Sequence, residues 1–435
     1  MIRASASLQP VSPDTKRTVP SDTGRFRVRT VGTIAEVGKA AWDDCANPGW
    51  PSETPLARRP DQPTVAYNPF VSFDFLQCLE ESGCVGRRSG WTPTHFVLED
   101  ASAPVAAAPA YLKAHSMGEY VFDHGWADAY ERAGGHYYPK LQIAVPFTPV
   151  TGPRLLTSGR ATPEARTALA GAAIASLATV GASSAHTTFV SEAEATLLAR
   201  HGWLHRTDRQ FHFINEGYRD FADFLDALAS RKRKAVRRER RDALAGGVEI
   251  ECLTGKEISE THWDAFFAFY MDTGSRKWGR PYLNRRFFSL IGERMADRVL
   301  MILARRSGRP IAGALNFVGS DTLYGRYWGT TDAQPFLHFE VCYYQAVEWG
   351  IARGLKVVEA GAQGEHKIAR GYVPVTTHSA HWIADPSFRR AVADYLRRER
   401  EAVAAEQTML ADQAPFRHED AAEMAGDATP DESEV

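Results

Sequence analysis

Apolar and polar positions alternate in two separate regions of the chain, and both regions predict strands. In the first region, HFVLE and PVAAAPAYLKAHS predict two strands around a turn, and GEYVFD predicts a third. The elements predicted next are a short helix over Trp126–Ala133, a strand within YYPKLQIAVPF, a long helix over Pro163–Thr179, and strands near Thr187–Val190 and Leu204–Phe213.

The second region repeats this order of elements. VLMILARR and IAGALNFVG predict a hairpin across SGRP, and TLYGRYWG predicts a third strand in which Tyr324, Arg326 and Trp328 share one side. A helix is predicted from near Pro335 to Gly354, followed by the strand KVVEAG. The repeat predicts an α/β protein with a mixed α+β sheet, built as two units side by side with a cleft between them.

The two ends of the chain lack the apolar residues needed for a packed core. Residues 1–24 are rich in Ser, Thr and Pro, and residues 406–435 are acidic and rich in Ala, so we expect disordered tails at both ends. Residues 25–215 are predicted as the N-terminal unit. Residues 216–405 are predicted as the C-terminal unit, which includes a basic helix over 221–245.

Overall charge excludes a general attraction to nucleic acid or to an anionic membrane, because 51 Lys and Arg nearly balance 53 Asp and Glu. One local exception is RKRKAVRRERR, which places eight cations in eleven positions. We expect a surface patch that binds an anionic ligand; the alternative is pairing with the protein's own acids, including Glu239 and Asp242. The predicted patch consists of Arg233, Lys234, Arg237, Arg238 and Arg241.

Cysteine usage argues against a disulfide framework. The chain has five cysteines, an odd number, and no CxxC pair, which also argues against a Cys-rich zinc site. No apolar window approaches the roughly 20 residues needed to span a bilayer. We therefore expect a cytoplasmic protein without a transmembrane segment or a bound metal.

Several long sequence blocks resemble a known bacterial family. The blocks are YLKAHSMGEYVFD, YYPKLQIAVPFTPVTGPRLL, SRKRKAVRRER, ALNFVGSDTLYGRYWG, LHFEVCYYQAVEWGI and EAGAQGEHKIARGYVP. From about Asn68 to Ile383 the chain resembles the FemAB-like, or peptidoglycan biosynthesis/recognition, family of predicted N-acyltransferases. The resemblance implies two tandem domains of the Gcn5-related N-acetyltransferase (GNAT) type. It also implies transfer of an acyl or aminoacyl group to a small-molecule or peptidic amine.

The donor of that group is the point on which the chain departs from CoA-dependent GNAT enzymes. Those enzymes hold the pyrophosphate on a glycine-rich turn before the central helix, but GTTDAQPFLHFE and VFDHGWADAY lack those glycines. Fem-type enzymes take aminoacyl groups from tRNA instead. The candidate co-substrates are therefore acyl-CoA and aminoacyl-tRNA, with no tightly bound cofactor and no DNA partner. The alternative function is a non-catalytic module that recognises a cell-wall precursor or RNA.

A polar cluster follows the strand KVVEAG, where ligands of α/β sheets tend to bind. We expect a reacting centre here, with Glu359, His366 and Glu340 as candidate bases; the alternative is a solvated loop held by surface ion pairs. The substrate-binding candidates around it are Arg326, Tyr327, Trp328, His338, Gln363, Glu365, Lys367 and Arg370.

A second polar group lies in the first unit. Lys113 and His115 alternate onto one strand face, Glu119 lies just beyond, and Lys140 begins another strand. Two interpretations stay open from the sequence. The group is either a solvent-exposed strand face or one wall of a charged substrate cleft between the units.

Overall fold

The structure is a computed structural model of the 435-residue chain. It describes residues 18–19, 26–50, 65–101, 103–278, 281–361, 364–413 and 415–416. The strands are β1 (Thr18–Val19), β2 (Arg27–Val31), β3 (Trp91–Pro93), β4 (His95–Glu99), β5 (Pro104–Ala108), β6 (Ala110–Lys113), β7 (Lys140–Ile143), β8 (Leu156–Thr157), β9 (Ser184–Val190), β10 (Leu204–Ile214), β11 (Val248–Thr254), β12 (Val299–Arg306), β13 (Arg309–Val318), β14 (Thr322–Thr330), β15 (Val357–Ala360) and β16 (Val373–Ile383).

Helices connect and cover these strands. They are α1 (Lys39–Ala46), α2 (Phe73–Glu81), α3 (His124–Arg132), α4 (Glu164–Val180), α5 (Glu192–Arg200), α6 (Phe221–Ala227), α7 (Ser230–Ala243), α8 (Glu260–Trp278), α9 (Arg285–Arg294), α10 (Leu337–Phe339), α11 (Gln345–Ala352) and α12 (Pro386–Ala411). A π-helical turn, Glu340–Tyr344, joins α10 to α11 without a break. Among the described residues, none of the helices combines the length and apolar character needed to cross a bilayer.

The main sheet has eleven strands and an internal pseudo-two-fold arrangement. Its order is β11-β12-β13-β14-β15-β10-β16-β9-β7-β6-β3. On each side of the central β10·β16 pair, the next three strand pairings are antiparallel, parallel and antiparallel, in that order. Each parallel pair is bridged by a helical connection, α4 on one side and α10–α11 on the other. The predicted mixed α/β fold with two GNAT-like units is confirmed.

The two units exchange strands, which the sequence did not predict. β10 ends the first half of the chain but lies between β15 and β16 of the second half, whereas β16 lies between β10 and β9 of the first half. The two predicted units therefore share one continuous sheet, and the repeated order of elements that the sequence predicted is present on both sides of its centre. Strand pairing depends on contacts far apart in sequence, which periodicity alone does not report. The sheet is continuous across the boundary predicted near residue 216.

Apolar side chains pack on both faces of the sheet. On one face, Met301, Leu315 and Phe317 form a core with helices α1, α2, α8 and α9. On the other face, the second half packs Ile302 and Leu323 against α6, α7 and α11, and the first half packs Leu141 against α4 and α5. Helices of both halves meet in the first of these cores, so the halves fold around shared packing.

Three expectations about the N-terminal end and the first half need correction. β1 pairs with β2 in a second sheet of order β1-β2-β4-β5-β8, so Thr18 and Val19 are ordered. Residues 1–17 and 20–25 lie outside the described residues. The stretch GEYVFD, at 118–123, consists of turns and bends and not of a strand. The connection that bridges β7 and β9 is α4, so the equivalent of the pyrophosphate turn precedes α4 and not α3.

The C-terminal helix extends into the predicted tail. Helix α12 begins at Pro386 behind the N-cap Asp385, whose side chain accepts from the Phe388 N–H, and it ends at Ala411. Disorder from residue 406 was therefore the wrong prediction for residues 406–411, where Glu406 pairs with Arg209 of β10. The sequence after residue 416 lies outside the described residues.

Candidate functional site

The site begins where the parallel strands β14 and β15 separate. Their pairing runs from Thr322 opposite Val357 to Gly325 opposite Ala360, and then stops. Gly325 is required at this point because a Cβ atom there would lie 2.9 Å from the Glu359 carbonyl oxygen. The register of β13 and β14 shifts across Arg326, which forms a β-bulge. Bulges of this kind commonly re-aim a side chain beside an active site.

The bulge changes which side chains of β14 share a face. Tyr324 and Tyr327 pair with Phe317 and Leu315, two residues of one face, whereas Trp328 packs in the core of the opposite face. The predicted strict alternation of Tyr324 and Trp328 on one side was therefore wrong. An inserted residue reverses the alternation beyond it.

Glu359 lies at the end of β15, beside the point of separation. Its carboxylate is buried and lies 3.8 Å from Nε2 of His212 on β10. Burial raises the pKa of Glu359 to about 8, although the charges of Arg326 and Arg154 oppose the shift. The same burial lowers the pKa of His212 to about 4, so this imidazole is neutral. The predicted burial of a carboxylate at this position is confirmed.

Lys367 and Arg326 supply cations to the same region. Lys367 is buried, and its ammonium donates to the Gly361 carbonyl at 2.8 Å. Burial lowers the pKa of Lys367 to about 7. The Arg326 Nε atom is buried without a hydrogen-bond partner among the described residues. The site therefore combines a carboxyl with a raised pKa, a lysine with a lowered pKa and a guanidinium whose Nε–H forms no hydrogen bond with a described residue.

Aromatic rings form the outer wall of the site. The His338 ring lies 5.2 Å from Trp328 and 6.4 Å from His366, measured between centroids. Nε2 of His366 forms a hydrogen bond of 3.0 Å with the Tyr343 hydroxyl, which the π-helical turn presents. Burial lowers the pKa of His366, and the neighbouring Arg370 and Lys367 lower it further. His338 and His366 thus come together as the sequence predicted.

Glu340 occupies a different environment from the one expected of a base. Its carboxylate is fully buried under α7, where it accepts from Nη2 of Arg240 at 3.0 Å and from the Gln345 amide at 2.7 Å. Arg240 also bonds Glu348 at 2.7 Å. The oxygens of the Glu340 carboxylate are therefore already bonded to protein donors. The bond between Glu340 and Arg240 holds α7 against the start of the central helix, which consists of α10, the π-helical turn and α11.

Two further predicted residues are used in packing. Arg370 donates to Glu239 of α7 at 2.9 Å and lies 3.5 Å over the Phe339 ring, so it ties the 365–370 turn to α7. Glu365 is exposed and lies 3.6 Å from Arg209. Gln363 lies outside the described residues.

A cavity of about 580 Å³ opens between the two halves; Glu365 and His366 line it, and Glu359 lies behind it, beyond Gln210 and His212. Its floor is the middle of the sheet, where the side-chain oxygen of Gln210 accepts from Nε2 of His212 at 3.2 Å, and His212 in turn lies next to Glu359. The lining residues are Tyr120, Phe122, Phe189, Asp208, Arg209, Gln210, Phe211, Gly364, Glu365, His366 and Thr377. The predicted cleft between units thus has a counterpart above the fused sheet.

The polar group of the first half is neither a solvent-exposed face nor a cleft wall. Lys140 is fully buried and donates to Glu119 at 2.6 Å and Asp123 at 2.5 Å, and Lys113 lies 3.6 Å from Glu119. His115 lies apart and bonds the Ser89 carbonyl at 3.0 Å. Both open interpretations were wrong, because the loop carrying Glu119 and Asp123 folds over the lysines.

Within this cluster, Lys140 and Asp123 hold each other in their ionised forms, whereas burial raises the pKa of Glu119. Burial opposes ionisation, but the carboxylates of Glu119 and Asp123 raise the pKa of Lys140, and Lys140 in turn holds the pKa of Asp123 well below its usual range. Lys113, with weaker partners, has its pKa lowered by burial to about 7. The cluster is an internal ion pair network without access to substrate.

The basic helix α7 presents a continuous stripe of cations. Its inner face is fixed by Val236, Glu239 and Arg240. The basic stripe consists of Arg231, Lys234, Arg237, Arg238 and Arg241, all exposed and spaced to share one side of the helix. Four of these form no ion pair or hydrogen bond with any described residue; Arg241 bonds Asp242 at 2.9 Å. Arg233, predicted for the patch, instead pairs with Asp226.

The turn before the central helix is packed against α7. The Gln334 amide donates to the carbonyls of Asp242 and Ala243 at the end of α7, and Arg306 bonds Asp332 and Gln334. Protein groups thus engage the position at which a pyrophosphate would be held. Within the described ranges, three or more metal-ligating side chains nowhere converge into a metal site.

Sequence reasoning missed His212, Arg154 and Tyr120. His212 was detectable, because it lies between Phe211 and Phe213 in a predicted strand, on the same face as Gln210. Arg154 and Tyr120 lie in irregular segments, and only the folded chain brings them to Glu359 and Arg326.

The comparisons with known proteins agree with the sequence blocks. Residues 33–418 match the FemAB-like family, which is described as peptidoglycan biosynthesis/recognition. The chain belongs to the FemAB-like family. No curated protein matches it.

Solved structures with a similar chain path have low identity. FemX is 10% identical and has a TM-score of 0.47, with 74% of this chain and 94% of that chain covered. L-PGS from Bacillus licheniformis is 11% identical (TM-score 0.43; 73% and 95% covered). A tandem GNAT protein from the clavulanic acid biosynthesis pathway is 11% identical (TM-score 0.40; 83% and 99% covered).

Proposed function

We propose that this FemAB-like protein transfers an aminoacyl group from an RNA-borne ester to a primary amine, with the reacting centre at the separation of β14 and β15. One observation carries the proposal. Glu359, a carboxyl whose pKa is raised by burial, lies where the two strands separate, close to the bulged Arg326, and His212 and Gln210 connect it to the cavity between the halves. A base whose pKa lies near that of its substrate is suited to general base catalysis.

The chemistry assigns a role to each group. The Glu359 carboxylate accepts a proton from the acceptor ammonium, and the freed amine attacks the ester carbonyl carbon. The Arg326 guanidinium, with an unused Nε donor, stabilises the oxyanion that forms. The nitrogen of the tetrahedral intermediate still carries one proton too many for an amide. That proton passes by way of Lys367 to the leaving ribose oxygen as the C–O bond of the ester breaks and the carbonyl re-forms, and Glu359 releases the first proton to solvent. The products are an amide and free RNA.

The donor is proposed from charge and from the packing of α7. The basic stripe spans about 15 Å of helix axis, with cations at the spacing of successive helical turns, and α7 packs on the start of the central helix. Such a stripe fits a run of phosphates, and Lys and Arg on phosphates give strongly salt-dependent binding. The turn around Gln334 lies where the pyrophosphate of acyl-CoA would be held. Because this turn is already bonded to α7, acyl-CoA is disfavoured as the donor.

The acceptor is proposed as an amine of a peptidic cell-wall precursor or of another small molecule, in keeping with the family description. The alternative is a non-catalytic module that binds RNA or such a precursor, and the basic stripe alone also suits RNA binding. Glu359 separates the two, because a binding module has no use for a buried carboxyl beside its cavity.

Transfer of label decides between them. The protein is incubated with a panel of radiolabelled aminoacyl-tRNAs or with labelled acyl-CoA, together with amine acceptors, and amide products are counted. We expect label transfer from aminoacyl-tRNA and a loss of at least a hundredfold in Glu359→Gln. Tight RNA binding without any transfer would favour the binding module. Transfer from acyl-CoA would overturn the donor assignment and retain the transferase.

A further inference from the structure

The loop over residues 114–123, here called the crossing loop, has side chains directed to both halves of the molecule. Its polar residues converge on one ammonium. Nζ of Lys140 donates to Ser116 Oγ at 2.8 Å, to Glu119 Oε2 at 2.6 Å and to Asp123 Oδ2 at 2.5 Å. All four side chains are buried. A single lysine of the first half therefore anchors the loop at three points.

The backbone of the crossing loop is held as well. The Met117 carbonyl accepts from the Lys113 ammonium at 3.0 Å and from the Trp91 indole at 3.1 Å. Gly118 has a φ of +81°, and its carbonyl accepts from the Phe147 N–H at 3.1 Å. The loop is thus fixed at both its side chains and its backbone, although it has no regular secondary structure.

The remaining residues of the loop reach the second half. Tyr120 adopts a left-handed backbone conformation, with a φ of 59°, and lies beside Arg326 and Tyr282 of the second half. Phe122 is 55% exposed, a high value for a phenylalanine, and lines the cavity next to the 364–366 turn. Left-handed geometry is costly for a residue with a side chain, so the surrounding contacts must enforce it.

The cavity wall opposite the loop combines aromatic and acidic groups. Phe189 and Phe211 add apolar surface, whereas Asp208 and Glu365 are exposed carboxylates at its edge. An exposed aromatic ring beside carboxylates suits a ligand with an ammonium group and an apolar arm. Arg209 is the cation of the lining, and it already faces Glu365 and Glu406.

We propose that the crossing loop is the specificity wall of the acceptor site: Tyr120 and Phe122 contact the apolar part of an ammonium-bearing acceptor, Asp208 attracts its ammonium, and Lys140 is a positioning residue that fixes the loop from the first half. The proposal rests on the proposed function, because it gives the cavity beside Glu359 to the acceptor. It assigns the first half a role in recognition and none in bond making.

The first test measures binding and needs no turnover. n-Hexylamine and n-hexanol are titrated into the intact protein, and chemical shifts of labelled Phe residues are followed. We expect hexylamine to bind more tightly than hexanol. Phe122→Ala should weaken both about tenfold, and Asp208→Asn should remove the difference between them. Met117→Ala is the matched control, since Met117 is equally exposed on the same loop but does not line the cavity.

The second test separates positioning from simple stability. Hydrogen exchange of amides 114–123 is measured in the wild type, in Lys140→Met and in the milder Ser116→Ala, which keeps the charges. Faster exchange confined to the loop in Ser116→Ala, and fastest in the loop in Lys140→Met, is the expected result, with weaker hexylamine binding in both variants. Where turnover is measurable, acceptor KM should rise in these variants while kcat and its pH profile stay unchanged.

Two results would overturn the proposal. One is equal binding of hexylamine by Phe122→Ala and the wild type; the other is unchanged loop exchange in both Lys140→Met and Ser116→Ala. Failure of the proposed function appears differently. A wild-type protein that transfers no label from any donor, but still binds hexylamine through Phe122 and Asp208, retains the acceptor wall and loses the catalytic assignment.

Discussion

The two points at which parallel strands separate, one in each half, have the same strand geometry and opposite chemistry. In the first half, His186 on β9 faces His381 on β16, and their Nδ1 atoms lie 2.7 Å apart. In the second half, Glu359 on β15 occupies the equivalent place and faces His212 on β10 at 3.8 Å. The two histidines of the first half bond each other, whereas Glu359 and His212 of the second pair lie beyond hydrogen-bond distance.

The buried lysines repeat this contrast. Lys140 has two carboxylates and a hydroxyl around its ammonium, while Lys367 has one backbone carbonyl. Burial therefore lowers the pKa of Lys367 to about 7, whereas the carboxylates keep Lys140 charged. A buried group without a matched partner costs stability, and such groups concentrate at functional sites. The comparison favours the second half for the proposed reacting centre.

The largest expected effect comes from substituting the two equivalent positions, Glu359 and His186. Glu359→Gln should lower turnover by roughly a hundred- to ten-thousand-fold, because it removes the base while keeping the shape of the side chain. His186→Gln, at the equivalent place in the first half, is the matched control and should keep turnover within about threefold of the wild type. Steady-state label transfer measures both. Equal losses in the two variants would end the distinction between the halves.

Stability should show the reverse order for the two lysines. Lys140→Met leaves Glu119 and Asp123 buried without their cation, so it should reduce the free energy of unfolding by about 3–5 kcal/mol. Lys367→Met should cost less than about 1 kcal/mol, because this lysine has no carboxylate partner among the described residues. Urea unfolding at pH 7 gives both values. A larger loss for Lys367→Met would contradict the comparison.

The pH dependence should sharpen the assignment of Glu359. Since its pKa is raised to about 8, kcat/KM should rise nearly tenfold per pH unit up to about pH 8 and level off above it. Between pH 4.5 and about 8 the folded protein holds a proton that the unfolded chain has released, so stability should fall as pH rises through this window. Glu359→Gln should remove that fall. A flat kcat/KM profile in the wild type would exclude this carboxyl as the base.

The smallest effect concerns the donor surface. Arg237→Glu together with Arg241→Glu should weaken RNA binding and reduce its salt slope by about two. Arg87→Glu with Arg88→Glu, the same charge change on an exposed turn of the first half, is the control and should change neither. Filter binding of tRNA between 50 and about 200 mM salt provides the measurement. Salt-independent binding in the wild type would remove the stripe from the donor site.

Local patterns in the sequence determined several features. Periodicity and turn residues predicted the hairpin of β12 and β13, the helix from near Pro335 to Gly354, and helix α4 to within a residue at each end. The apolar run before Glu359 predicted a carboxyl leaving a buried strand, and the structure confirms its burial. These inferences succeeded because each depends on residues that are close in sequence.

The tertiary structure decided what depends on distant contacts. It decided that β10 and β16 change places between the halves, that a bulge at Arg326 reverses the faces of β14, and that Glu340 pairs with Arg240. It also buried Lys140 under a loop that the sequence presented as a strand. Composition and spacing specify which side chains are available. Whether a charge is exposed, paired or left unmatched depends on which distant segment packs over it, and only the folded chain determines that.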